Sequence, residues 1–376
     1  MRKSAAGFTL IELLVAVSIA VIIPTMGFVA LARYRADYSL KLAAQTIAAM
    51  ARGVRDKSVT QEEGRAWGLY FSSSATGTDS VIAYEGPNFA TGTPAQVFSL
   101  KSNISFSEPA AGFSFDLPFA AMDGSTGAQK VLTAYPKGYP GTLLDIIIDR
   151  LGRVTTRIET DVIGYWHFDE SSASLANDAT GAGNGAALSS SPSPTWESGD
   201  ECAAGACLSF HGNSSVSVPP SPSFLFDSDF TVMFWENVSA SEPQRALSLG
   251  SWDTGENLDI AFNDNRIPSG VLAFWNGERV AGRTVSGGND GDFTDGVWHH
   301  IALTRAGSEI ALYADGALVG SASYEGAIGS ATEALIFGRS TENPGQHWKG
   351  SLDEPRIYGK AFTAEEIRLR YEDLNL

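Results

Sequence analysis

The spacing of hydrophobic positions changes along the chain, and each change marks a new element. Residues 1–7, MRKSAAG, are polar and basic; residues 8–32 then form an apolar run broken by a single charge, Glu12. At about 1.5 Å per residue, a helix of that run reaches about 37 Å, more than a hydrocarbon core of about 30 Å. A membrane-spanning helix is expected over 8–32, kinked or locally melted at Pro24, which lacks a backbone donor. A secretory signal peptide would have a shorter apolar core ending in a small-residue cleavage site. Here the small residue, Gly7, precedes the run, and Arg2 and Lys3 favour a cytoplasmic leader. Past residue 32, Leu40, Ala43, Ala44, Ile47, Met50 and Ala51 recur at three- and four-residue spacing. That pattern predicts helix to about residue 58, with its second half packed on a head domain.

From residue 60 the pattern becomes strand-like, with pieces at 66–71, 80–84, 96–100, 104–106 and 112–117. Leu143–Asp149, a turn through Gly152, and Val154–Ile158 predict a hairpin. One long helix followed by a small antiparallel sheet is an α+β layout. Beyond residue 162, many short strand patterns alternate with Gly, Asn and Asp turns, which predicts a β-sandwich or jelly roll. Asp315-Gly316 is a type I′ hairpin signal, and Thr363 with Glu366 forms a capping box that predicts a C-terminal helix.

Composition narrows the function. Lys plus Arg is 26 and Asp plus Glu is 43, for a formal charge of −17, so nucleic acid is not an expected partner. Two cysteines rule out a disulfide-dense scaffold and a four-cysteine zinc site. The histidines at 167, 211, 299, 300 and 347 show no metal-ligand spacing. A carboxylate inside a membrane segment is costly, which makes Glu12 a functional candidate.

The arrangement Gly7-Phe8-Thr9-Leu10-Ile11-Glu12, behind a basic leader and ahead of an apolar helix, resembles the processing site of type IV pilins and pseudopilins. The resemblance implies that a prepilin peptidase cuts after Gly7 and methylates Phe8. It also implies that Glu12 neutralises the terminal amine of a neighbouring subunit in a fibre. The layout of 33–160 is similar to GspH/FimT-like minor-pseudopilin heads. The implied place is the bacterial inner membrane, single-pass with the C-terminal part extracytoplasmic, and then a pilus or the cell surface.

Residues 162–376 carry Gly164–Glu170, Asp178–Gly185, Cys207–Asn213, Val297–Thr304, Leu312–Gly316 and Leu352–Tyr358 in order. Taken together these resemble laminin-G-like, concanavalin-A-like jelly rolls. The expected organisation is therefore a leader at 1–7, a transmembrane helix at 8–32, a pseudopilin helix and β head at 33–160, and a jelly roll at 162–376 that folds alone. The fold class is a long transmembrane helix with an α+β pilin head, followed by an all-β antiparallel jelly-roll sandwich.

Four readings of chemistry follow. Behind an anchor of this orientation Cys202 and Cys207 face an oxidising compartment and are expected to pair across a short loop. The laminin-G resemblance implies a calcium ion, with Asp169, Asp178, Asn184 and Asp353 as candidate oxygen ligands. Trp252, Trp275 and Trp348 lie in or beside polar loops and are candidate sugar-stacking residues, whereas Trp166, Trp235 and Trp298 sit in strand patterns and are read as core. An enzyme is not expected. The run from Glu256 to Phe262 lacks the carboxylate triad of jelly-roll glycosidases, and the adjacent Asp353 and Glu354 should point to opposite strand faces. Asp145 and Asp149 are read as solvated edge charges, and His299 and His300 as satisfied structural histidines. The protein is expected to be a minor pilin or pseudopilin subunit of a type IV pilus or type II secretion-like fibre, displaying an adhesive or glycan-recognition module. Its partners would be other pilin subunits, the assembly machinery and the prepilin peptidase. The alternative is a membrane-anchored surface lectin outside any pilus.

Overall fold

The structure, a computed structural model, describes residues 10–60, 65–109, 114–120, 126, 129–170, 172–239, 242–250, 257–262, 272–276, 278–282, 293–341 and 345–374. Of residues 20–30, 272–276 and 278–282 it describes the backbone alone. Helix α1 spans Leu10–Val59 and runs unbroken through Pro24, where the sequence predicted a kink or a melted turn. Its two halves differ as the periodicity predicts. Leu40, Ala43, Ala44, Ile47, Met50, Ala51 and Val54 are buried, whereas Leu10, Ile11, Leu13, Leu14, Val15, Val17 and Ile19 are exposed. Among the described residues no helix is long and apolar enough to cross a membrane. Residues 8 and 9 and the side chains of 20–30, which belong to the predicted span, lie outside the described residues.

The buried stripe of α1 packs on a head of eight antiparallel strands. They are β1 (Trp67–Ser72), β2 (Ser80–Glu85), β3 (Thr93–Ser99), β4 (Ile104–Glu108), β5 (Ser114–Phe119), β6 (Lys130–Pro136), β7 (Thr142–Ile148) and β8 (Val154–Thr160). They form two four-stranded sheets, ordered β3-β2-β1-β5 and β4-β6-β7-β8. Leu69, Phe71, Phe106, Leu132, Leu144, Ile146 and Ile148 close the core against the helix. The β7–β8 hairpin turns at Gly152, with φ +72°, a conformation that glycine adopts without a Cβ penalty. Lys130–Pro136 is a strand that the sequence pattern did not mark.

The rest is a two-sheet antiparallel sandwich of jelly-roll type. One sheet runs Thr195–Ser198, Ala206–His211, Lys349–Tyr358, Phe230–Val238, Trp298–Ala306, Glu309–Ala314 and Ala317–Ser323, with Val162–Tyr165 beside Lys349–Tyr358. The other runs Leu175–Ala176, Ala186–Leu188, Val216–Val218, Leu335–Phe337, Gln244–Leu249, Leu258–Phe262, Leu272–Asn276 and Glu278–Gly282. Between them lies an aromatic core that includes Trp166, Phe168, Phe210, Phe234, Phe262, Phe337 and Trp348. Asp315 and Gly316 both take positive φ, as a type I′ turn demands. Helix α2 (Ala364–Asp373) starts at the predicted capping box, with the Thr363 side chain on the Glu366 N–H and the Glu366 side chain on the Thr363 N–H.

Head and sandwich share buried surface. Leu143 and Tyr135 of the head pack with Tyr165, Met233, Tyr358 and Phe362. Val131 and Ile147 pack with Ala203, Ala204, Trp235 and Leu374.

Candidate functional site

The N-terminal candidates divide between two regions. Gly7 and Phe8 lie outside the described residues. Glu12 sits in the first turn of α1, among the exposed leucines, isoleucines and valines.

In the sandwich two of the three candidate tryptophans belong to the described residues. Trp252 lies outside the described residues. Trp275 stands on the strand Leu272–Asn276, in register opposite Asp259. Trp348 is a correction: it is fully buried, edge-to-face on Phe262 at 5.0 Å, and presents no face to a ligand. The bends around it read as loop in the sequence, but the bridge between Arg339 and His347 turns the segment back into the core.

Sequence reading missed a buried polar cluster at Asp259. Leu258, Ile260 and Phe262 point into the core, so Asp259 points the other way by strand alternation. Its carboxylate accepts from the Ser248 hydroxyl and lies 3.7 Å from Arg245 Nε. Thr341 Oγ1 is 3.0 Å from Ser248 Oγ, and Thr341 donates its own N–H to that oxygen. Arg245, Ser248 and Asp259 are all fully buried. The signal was available as a single charge within each of two strand patterns, Arg245 in Gln244–Leu249 and Asp259 in Leu258–Phe262.

The four calcium candidates are placed in two groups. Asp178 accepts from the N–H groups of Tyr165, Thr180 and Asn184, so both its oxygens serve one turn. Asn184 donates to the Ile163 carbonyl and its own carbonyl accepts from the Trp166 indole. Asp169 pairs with Lys130 and accepts from the Ala206 N–H. Asp353 accepts from the Ala204 N–H. As placed, these residues give a calcium ion no common set of free oxygens. Among the described residues no three His, Cys, Asp or Glu side chains converge as metal ligands.

The densest polar chemistry lies between head and sandwich. Arg356 donates to Asp145 at 2.6 Å and to Glu354 at 2.8 Å, and its guanidinium lies 3.9 Å from the Tyr165 ring centre. Tyr165 donates to Glu354 in turn. His167 Nδ1 is 2.9 Å from Glu354 and its Nε2 is 2.8 Å from the Thr133 hydroxyl. That hydroxyl donates to Asp145, so it accepts from His167, and both ring nitrogens carry protons. Burial alone would lower the His167 pKa, but the Glu354 charge and hydrogen bond raise it. Burial likewise opposes the Glu354 charge, yet His167 and Arg356 hold its pKa at about 2.

Two expectations are corrected here. Asp145 is fully buried rather than solvated, because Arg356 of the sandwich covers its strand face. Asp353 and Glu354 do not diverge onto opposite faces. The ladder slips between Met233 and Trp235, Glu354 takes φ +53°, and the bulge lets both carboxylates engage partners at the seam. Beyond the seam Arg370 donates to Glu159 at 2.8 Å and Arg157 pairs with Asp373, tying α2 to β8.

Cys202 and Cys207 form the expected disulfide, with Cα atoms 5.4 Å apart. Of the paired histidines, His299 is held by Asp315 at 2.7 Å and Asp295 at 3.3 Å. His300 is buried with Nδ1 lacking a hydrogen-bond partner, so it is not a fully satisfied histidine.

Comparison with known proteins fits this architecture. Residues 2–23 match the family described as the prokaryotic N-terminal methylation motif, and residues 210–368 match the concanavalin A-like lectin/glucanases superfamily. The chain thus carries a type IV pilin-like methylation motif together with a laminin-G/concanavalin A-like domain. No curated protein matches the sequence. Among solved structures, the binding domain of Paraclostridial Mosquitocidal Protein 1 is similar at 17% identity and a TM-score of 0.46, covering 56% of this chain and 52% of that one. Domain 4 of AbnA, a GH43 extracellular arabinanase from Geobacillus stearothermophilus, solved with arabinotriose, is similar at 17% identity and a TM-score of 0.42, covering 57% and 98%. The binding domain of botulinum neurotoxin serotype D gives 15% identity and a TM-score of 0.42, covering 56% and 51%. The chain therefore spans about half the length of the first and third of these structures.

Proposed function

We propose that this protein is a minor pilin or pseudopilin that carries a non-enzymatic, glycan-recognising jelly roll outside the cell. The observation that carries the reading is the methylation motif at residues 2–23, continuous with a helix whose first turns expose apolar side chains. An amphipathic second half then mounts that helix on the head. In this reading the prepilin peptidase cuts between Gly7 and Phe8, and the new amine of Phe8 meets Glu12 of a neighbouring subunit. The helix holds the chain in the inner membrane until assembly into a pilus or secretion pseudopilus. The glycan half of the reading is supported by the lectin-like family match over residues 210–368. Against an enzyme stands the engagement of Asp353 and Glu354 at the seam, where their oxygens bind Ala204, His167 and Arg356.

Two measurements test this. Mass analysis of the native N-terminus should find methylated Phe8, and Gly7→Val should retain the leader and block assembly. A mature protein beginning at Met1 in cells with an active pilus system would sink the pilin half. The detergent-solubilised full chain on a glycan array should bind without hydrolysing, and silence across the array would remove the glycan half.

A further inference from the structure

Lys130, at the start of β6, reaches across the seam between head and sandwich. Its Nζ lies 3.0 Å from Asp169 Oδ2 and 3.1 Å from Glu108 Oε1 at the end of β4. The three side chains are 13%, 1% and 15% exposed. The Phe115 ring lies 5.1 Å from Nζ. The other oxygen of Asp169, Oδ1, accepts the Ala206 N–H at 2.5 Å. Gly205 before it has φ +72°, and a Cβ there would stand 2.4 Å from Oδ1, so a glycine is needed for this approach. One amine therefore touches an oxygen of each of two carboxyl groups, and the other oxygen of Asp169 holds a backbone donor, all at side chains no more than 15% exposed.

We propose that Lys130 and Asp169 condense into an intramolecular amide bond that joins the head covalently to the jelly roll. Glu108 carries the proton and the Ala206 N–H holds the developing oxyanion. The step needs no cofactor. One ammonium proton passes from Lys130 to Asp169, which turns the ion pair into an amine and an acid. Nζ attacks Cγ of Asp169, a C–N bond forms, and negative charge gathers on Oδ1, where the Ala206 N–H already points. Glu108 takes a second proton from the nitrogen and delivers it to Oδ2. The Cγ–Oδ2 bond breaks, and Oδ2 leaves as water with both transferred protons. Nitrogen keeps its third proton as the amide N–H, and Glu108 returns to carboxylate.

The surroundings favour the product. A buried ion pair carries a desolvation cost that a neutral amide does not. Fixed contact at about 3 Å also replaces a bimolecular encounter by an effectively unimolecular one. Burial pushes the Asp169 acid up to about 6, towards the protonated form that the attack requires. Burial pulls Lys130 down, but the charges of Asp169 and Glu108 outweigh it and hold the ammonium. The proton transfer within the pair is thus the barrier, and Glu108, 3.1 Å from Nζ, is placed to take the nitrogen's proton. A groove of about 340 Å³ bounded by Phe115, Gln129, Gly199 and Ala206 gives the departing water a way out.

The test is peptide mass spectrometry of the folded, full-length wild-type protein after denaturation and reduction. A linked peptide holding Lys130 and Asp169, lighter than its two parts by one water, is the expected result. Lys130→Arg keeps the charge and Glu108→Gln keeps the shape, and each should yield only linear peptides. Recovery of Lys130 and Asp169 solely in linear peptides from the wild type would overturn the proposal and leave an ion pair. An undiminished link in Glu108→Gln would overturn the assignment of Glu108. Because the wild-type measurement needs no variant, it decides the question even if a substitution prevents folding.

Discussion

His300 sits in the strand Trp298–Ala306 with its ring 5.2 Å from Trp235 and 6.4 Å from Tyr371. Burial lowers its pKa to about 3, although Asp315 acts in the opposite direction. Unfolded, the same ring titrates near about 6.5. Below that pH the unfolded chain binds a proton that the folded chain refuses, so stability falls as pH drops from about 6.5 towards about 3. The loss from this residue should be about 1.4 kcal/mol per pH unit inside that window, or about 2 kcal/mol at pH 5. Urea denaturation of wild type and His300→Phe at pH 7 and pH 5 measures it. The variant should lose less stability on acidification, and equal losses would show that His300 is not the group responsible. At this scale the sequence was readable where a residue's job is local. The core stripe of α1, Gly152, Asp315 and Gly316, and Thr363 with Glu366 all answer to neighbours in the chain. Asp145 and Trp348 were misread because strand alternation and loop composition assign a face or a bend, not what covers it. Arg356 covers Asp145 from 211 residues away, and no pattern within β7 points to it.

The loop from Cys202 to Cys207 shows how an element gains a role beyond its own geometry. Its Ala204, Gly205 and Ala206 N–H groups go to Asp353, to the Gln129 carbonyl of the head and to Asp169. Ala203 and Ala204 pack in the same cluster as Val131 and Ile147. Pairing of the cysteines was readable from their spacing and from the direction of the N-terminal helix, but the head-facing use of the loop was not. Alkylation of the folded protein without reductant should label neither cysteine, since both are joined and buried. For so short a loop the chain-entropy model gives about 2 kcal/mol of stabilisation. A Cys202→Ser, Cys207→Ser double variant should lose that amount in urea denaturation, plus whatever disorder spreads to the three backbone contacts. Labelling of both cysteines in folded wild type would remove the disulfide, and a double variant of wild-type stability would remove its structural role.

At the scale of the whole molecule, the expectation that residues 162–376 fold as an independent bead meets the seam. The sandwich has its own aromatic core, and its capped C-terminal helix starts without help from the head. Yet Arg356 answers Asp145, His167 answers Thr133, Asp169 answers Lys130, and α2 answers Glu159 and Arg157. Cutting at residue 161 strips each of these partners and exposes Met233, Trp235 and Tyr358. The freed charges regain water, so the loss is smaller than leaving them buried and alone, but the apolar seam is lost outright. The isolated sandwich should therefore fold with a melting temperature roughly 10 °C below that of residues 33–376, as a loss of about 3–5 kcal/mol implies at this size. Arg356→Met in the longer chain tests the same seam from inside. It leaves Asp145 buried without its cation, while Glu354 keeps His167, and should cost about 3–5 kcal/mol. Calorimetry of the two lengths, each with and without Arg356→Met, separates the contributions. The substitution should be severe in the longer chain and mild in the isolated sandwich, where Asp145 is absent and Glu354 still has His167 and Tyr165. Equal costs in both would mean that Arg356 serves the sandwich alone, and that the jelly roll rides on the head without being fixed to it.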